Sequence, residues 1–153
     1  MNLALRKAVI GDAECIAILG ATVWIDTYAA HGIRRDIGRY LRAEFSVDRI
    51  AMLISDATSH LVVAERDSHI LGYAHTIQGA VCPASAGHRT ELVNLYVLEA
   101  FTGSGIGTQL LRESESFCGS PKRTAVVLRE RGQYSSHSVL QSSRVSRCRR
   151  TPL

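Results

Sequence analysis

The stretch ELVNLYVLEAFTGSGIGTQLL, residues 91–111, carries a strand straight into a glycine-rich turn and then into a helical pattern. Such a junction is built to hold phosphate. Glycines let the backbone come close to a ligand, successive N–H groups converge, and the helix N-terminus adds its positive end. Two familiar phosphate loops do not fit. A P-loop needs a lysine after its last glycine, and none follows Gly107. A dinucleotide fingerprint needs GxGxxG inside a βαβ unit; Gly103, Gly105 and Gly107 give GxGxG after a sheet that reads as antiparallel. A tight strand-to-helix connection that binds nothing would use the same residues.

Outward from this stretch, the pattern predicts one domain. LALRKAV (3–9) has short-strand character, and Asp12 is expected to cap a helix that ends near Gly32. Ile16, Leu19 and Val23 recur at helical spacing and form its core stripe. Amphipathic helices are expected over 33–45 and 47–55. HLVVAERDSHILGYAHTIQ (60–78) is a hairpin turning at Arg66-Asp67-Ser68, and GAVCPASAGHR (79–89) is a loop. Strand, helices, three strands, glycine loop and helix make a mixed α/β (α+β) domain on a largely antiparallel sheet flanked by helices.

The 153 residues, 46% hydrophobic, suffice for one core. The uncharged, mainly apolar run between Glu14 and Asp26 is too short to span a bilayer. MNLALRKAV lacks a signal-peptide pattern, and Cys15, Cys82, Cys118 and Cys148 show no ligand spacing. The expectation is a cytoplasmic protein without a metal. The net charge of +4 is uneven: residues 1–118 hold 10 Lys/Arg and 13 Asp/Glu, whereas residues 119–153 hold 8 Lys/Arg and only Glu130. The boundary divides a domain at 1–118 from a basic, aberrant C-terminal segment at 119–153, with a possible fifth strand at 124–128.

Residues 91–111 resemble the acetyl-CoA signature of the GCN5-related N-acetyltransferases, the GNAT family. Leu95, Tyr96 and Val97 match its strand end, and Gly105 and Gly107 its two glycines. The elements before them follow the family's order, so the resemblance covers about residues 3–117. It implies a GNAT-like fold and acetyl-CoA as donor. It also implies a diphosphate cradle over Thr102, Gly103, Ser104, Gly105, Ile106, Gly107 and Thr108. Thr102 and Ser104 depart from the Gln/Arg and basic residues common there, which leaves the cradle to the main chain and implies weaker cofactor affinity. Glu91 matches a carboxylate used as general base, and the Val97 N–H the group that polarises the thioester carbonyl. Trp24 and Tyr28, four apart on the first helix, match the acceptor-pocket region, although at least one is expected to pack in the core. His75 is read as structural.

The family continues with a fifth strand and an Asn…Ala…Phe-Tyr…Gly-Phe segment, whose tyrosine protonates the leaving thiolate. Residues 129–153 contain no such segment. Shifted forward by one base, however, Val139-Leu140-Gln141 written GTT-CTA-CAA yields Phe-Tyr. Arg144-Val145-Ser146 written AGG-GTT-TCG yields Gly-Phe. Synonymous codons from Val126 to Arg150 permit WFSVNAANTRAIRFYKAAGFRDVG throughout. The hypothesis is that the chain left its ancestral frame between about Cys118 and Val126. Coding DNA unable to spell the motif in that frame would refute it. The C-terminal elements are then incomplete, leaving an unpaired sheet edge through which copies of the chain would associate.

The expected function is transfer of an acetyl group from acetyl-CoA to a primary amine on a small molecule or peptide. The alternative is a catalytically impaired CoA-binding module with a disordered basic tail. A nucleic-acid partner is not expected, because the tail lacks interleaved aromatics and any known module.

Overall fold

The computed structural model describes residues 2–81, 88–117 and 127–128. The strands are β1 (Ala4–Lys7), β2 (Ser59–Arg66), β3 (His69–Val81), β4 (His88–Val97) and β5 (Val127–Leu128). The helices are α1 (Ala13–Tyr28), α2 (Arg35–Glu44), α3 (Val47–Ser55) and α4 (Ile106–Phe117). The sheet order is β1-β2-β3-β4-β5; the first four strands are antiparallel and β5 runs parallel to β4. The fold is thus the expected mixed domain on a largely antiparallel sheet.

Alternation along the strands divides the core in two. Leu61, Val63 and Tyr73 face α1 and α3, packing on Ile16, Ala17, Leu19 and Ile50. Val62, Ala64, Ala74 and Leu92 face α4, packing on Ile106, Leu110 and Leu111. Ile16 and Leu19 of the predicted stripe are buried, and Val23 packs at its margin. The hairpin turn contracts to Asp67 and Ser68, with φ of 51° and 65°. Two successive positive φ values give the twist that a two-residue hairpin requires.

Three expectations need correction. Asp12 stands at the N-cap position of α1 as expected, but its side chain does not cap the helix: it accepts from the Val9 N–H at 2.8 Å across the 3-10 turn Ile10–Asp12. Its carboxylate also receives Arg6 at 2.7 and 3.0 Å, and Arg6 reaches Glu65 as well, so β1, the turn and β2 share one charged knot. The Arg6 guanidinium holds the Asp12 carboxyl below its usual range. Further along, α1 stops at Tyr28, four residues early. Ala29–Gly32 closes a turn through Gly32 N–H to Ala29 O (2.8 Å), at a Gly32 φ of +97°. The predicted loop at 79–89 is shorter than expected, since residues 79–81 belong to β3 and 88–89 to β4. Its residues 82–87, and all of the basic segment except Val127–Leu128, lie outside the described residues.

Candidate active site

The site is organised by β4. Opposite it, His75 pairs with Asn94 but Thr76 pairs with Leu92, so Val93 is an extra residue, a β-bulge. The bulge resets the side-chain alternation. Leu92 points into the α4 core, while Glu91, Val93 and Asn94 all line a pocket on the opposite face. Were Val93 paired in regular alternation instead, Glu91 would turn to the α4 face with Leu95.

Helices α2 and α3 form the other wall of the pocket, through Tyr40, Glu44 and Arg49. Arg49 is ion-paired with Glu44 at 3.3 Å. Ser46 starts α3, its hydroxyl accepting from the Arg49 N–H, and this fixes where Arg49 emerges. The floor is Tyr73 and His75. Both are buried, and the Tyr73 hydroxyl and His75 Nδ1 have no hydrogen-bond partner among the described residues. The other ring nitrogen of His75, Nε2, lies 2.7 Å from the Ser59 hydroxyl. Burial, helped by the Arg49 charge and opposed by Asp56, pushes the His75 imidazole down to about 4. The ring is neutral at physiological pH. Burial, then the neighbouring Tyr96 and Tyr40, raises the Tyr73 phenol well above its ordinary value.

At its other end β4 presents main chain instead. Leu98 N–H donates to Leu71 O at 3.0 Å, which makes Gly72–Val97 a non-hydrogen-bonded pair. The N–H and C=O of Val97 therefore turn away from β3, toward the outer edge of β4, and those of Leu95 do the same two residues earlier. A Cβ on Gly72 would lie 2.6 Å from Tyr96 O, so only glycine permits this close pairing opposite Val97. On that outer edge β5 pairs with Glu91 and Leu92 alone; from Val93 to Val97 no described strand follows.

The chain then makes a 3-10 turn, Glu99–Phe101, and enters α4 through Thr102 to Gly105. Gly103 and Gly105 have φ of +76° and +83°, and a Cβ on either would meet nothing within 4 Å. What glycine supplies here is backbone conformation, and the space beside the turn is open. Gln109 N–H is bonded to Gly105 O (3.1 Å), so the N–H groups of Ile106, Gly107 and Thr108 precede the first helical bond. The Thr102 hydroxyl donates to Glu99 O (2.8 Å) and the Ser104 hydroxyl to Phe101 O (2.5 Å). Neither has its proton left for a ligand.

The sequence profile of the Acetyltransferase (GNAT) family matches residues 25–137. The chain belongs to that family. Its members use acetyl-CoA as acetyl donor. The GNAT fold is shared with PaiA N-acetyltransferase of Thermoplasma acidophilum, solved in complex with coenzyme A (24% identity, TM-score 0.65, 77% of this chain and 72% of that one). It is shared with a predicted acetyltransferase of Clostridium acetobutylicum, solved with acetyl-CoA (18%, 0.59, 76% and 73%). A third is the aminoglycoside 6'-N-acetyltransferase AAC(6')-IG of Acinetobacter haemolyticus (18%, 0.56, 77% and 71%). No curated protein matches the sequence.

Of the residues singled out from the sequence, Glu91 lies in the pocket, Leu95 to Val97 form the half-buried end of the strand, and 102–108 form the turn and the start of α4. The Ile106 side chain is buried in the core and the Leu95 and Val97 side chains pack against it, so these three offer a GNAT ligand only main chain. Trp24 and Tyr28 are half-buried and do not line the pocket. Trp24 packs on Tyr28 (ring centroids 5.1 Å apart) and on Tyr40 (5.2 Å), so its link to the pocket is through Tyr40. Tyr40, Glu44, Arg49, Asn94 and His75 were not predicted as site residues. The first three come from helices that carry no motif, and Asn94 reaches the pocket through a bulge that strand periodicity does not reveal.

Proposed function

We propose that this chain transfers the acetyl group of acetyl-CoA to a primary amine entering the pocket between α2, α3 and the sheet. The observation that supports this most is the division of β4: a carboxylate at Glu91 on the pocket face, and an outward N–H at Val97 on the open edge. The residues fit the donor. The edge from Val93 to Val97 can pair with the amides of a pantetheine arm, and the converging N–H groups of 103–108 suit a diphosphate at a helix N-terminus. Bound acetyl-CoA supplies an activated thioester; the protein's part is to orient it, exclude water and move the proton. A lysine-like amine is mostly protonated at pH 7, and freeing it costs about 4–5 kcal/mol. Glu91 takes that proton, directly or through water. The Val97 N–H donates to the thioester oxygen as negative charge develops on it.

Acceptors are small-molecule or peptide amines, with Trp24 and Tyr28 acting on them only by bracing Tyr40, and the compartment is the cytoplasm. Among the described residues no helix is long and apolar enough to cross a membrane. The domain is residues 1–118, extended by the pairing of Val127–Leu128 with β4, and the segment 119–153 differs from it in its basic composition. The test is release of the coenzyme A thiol from acetyl-CoA over a panel of amines, beside calorimetric titration of coenzyme A. Turnover that follows the amine supports the proposal. Coenzyme A binding with no turnover on any amine would instead establish the impaired binding module.

A further inference from the structure

Helix α2 shows an arginine face that the fold does not use. Ile37, Tyr40, Leu41 and Glu44 lie on one side of it and are half-buried, and Tyr40 and Glu44 reach the pocket. Arg35, Arg39 and Arg42 recur at i, i+4 and i+7 on the other side, and all three are exposed. A solvated helix face ordinarily mixes signs and gains from i, i+4 pairs. This one does not. The acids nearest in sequence are already engaged, Asp36 by Arg34 at 2.9 Å and Glu44 by Arg49 at 3.3 Å. Among the described residues none of the three arginines has an ion pair. Each of these guanidinium groups can take a carboxylate or a phosphate in a planar, bidentate pair.

The pocket on the other side of the same helix has a net charge of the opposite sign, with two carboxylates, Glu44 and Glu91, against the one guanidinium of Arg49 that pairs with Glu44. Two adjacent surfaces of opposite sign select a ligand with the complementary dipole. We infer that the acceptor is a polypeptide whose reactive amine lies near a run of Asp or Glu, the amine entering the pocket and the acidic run crossing the arginine face of α2. This rests on the transferase reading above. A nucleic acid would satisfy the arginines but brings no alkyl amine to the pocket. The spacing follows from the helix. A helix with its side chains is about 10 Å across, and an extended chain advances roughly 3.3 Å per residue. Passing over α2 therefore places the first acidic residue roughly three to five positions from the amine.

The test uses the full chain and C-terminally labelled peptides of about twelve residues. They carry one free amine and an acidic run starting at the fourth position, or the same run adjacent to the amine, or glutamines in its place. Anisotropy at low salt should show the spaced acidic peptide binding ~10-fold tighter than the glutamine peptide, with most of the gain lost on raising salt. The variant R35Q/R39Q/R42Q should lose the preference. A charge-matched control, R147Q/R149Q/R150Q, should keep it, which separates α2 from the basic tail. Equal losses in the two variants overturn the inference, as does an oligouridylate whose binding depends on α2 more than that of the peptide. Acetylation of the same peptides, read by mass, separates the two readings. Binding through α2 without acetylation refutes the transferase, whereas acetylation indifferent to the acidic run refutes only the docking.

Discussion

The two ends of β4 are built from different materials. The end proposed to hold the donor is main chain: the outward N–H of Val97, two positive-φ glycines and the first turn of α4. The end proposed to take the acceptor is side chain: Glu91, Asn94 and His75 from the sheet, and Tyr40, Glu44 and Arg49 from two helices. A backbone cradle tolerates changes of residue type as long as the conformation survives. A side-chain pocket keeps its shape only while several separate elements keep their identities. Substitutions should therefore have opposite characters at the two ends, and four measurements can test this.

The largest effect belongs to Glu91→Gln. Losing a general base typically costs ~10²–10⁴-fold in kcat, and coenzyme A affinity by calorimetry should be unchanged because the carboxylate is not in the cradle. A fall of less than ~3-fold would remove Glu91 from the chemistry.

His75 comes next, through pH. Its folded value near 4 lies below the ordinary 6.5 of an unfolded histidine, so the unfolded chain takes up the proton first as pH falls. The stabilisation from a neutral ring is complete above about pH 6.5 and is lost progressively toward pH 4, amounting to ~2 kcal/mol by pH 5. Thermal melts at pH 7 and pH 5 should thus diverge more in the wild type than in His75→Gln. Parallel slopes would count against the buried imidazole.

Gly105→Ala tests the cradle. A Cβ there meets no atom, so the cost is the positive φ alone, ~1–2 kcal/mol. It should appear both in the melt and as a roughly tenfold weaker coenzyme A titration. Ser104→Ala is the smallest. The hydroxyl proton is already given to Phe101 O, so coenzyme A affinity should hold while stability falls by no more than ~1 kcal/mol. A large loss of affinity would mean that the side chain turns outward in the complex.

The same contrast explains what could be read beforehand. The donor end is local in sequence: strand, glycines and helix follow one another in 91–111, and their order carries the meaning. The hairpin was legible for the same reason, since Asp67-Ser68 joins two apolar runs directly. The acceptor end is assembled across the chain, from 40–49 on helices with no motif and 75–94 on paired strands. Its decisive feature, the unpaired Val93, is a property of register between β3 and β4 and leaves no mark in either strand alone. At Asp12 the N-cap position was legible but its bonding was not. Its carboxylate was claimed by Arg6 and the Val9 N–H, partners that a helix-start rule does not weigh.

The sheet order also dictates a sequence of events during synthesis. β1 is the first strand made, but its neighbour is β2, with Ala4 lying against Glu65. At ribosomal rates, the N-terminal strand waits roughly 3–12 s for that partner to be translated. The β2–β3 hairpin, closed by two residues, forms in about 1–10 μs once its second arm emerges. Because β2 is translated before β3, β1 meets its partner first, and the hairpin adds β3 to a pair that can already form.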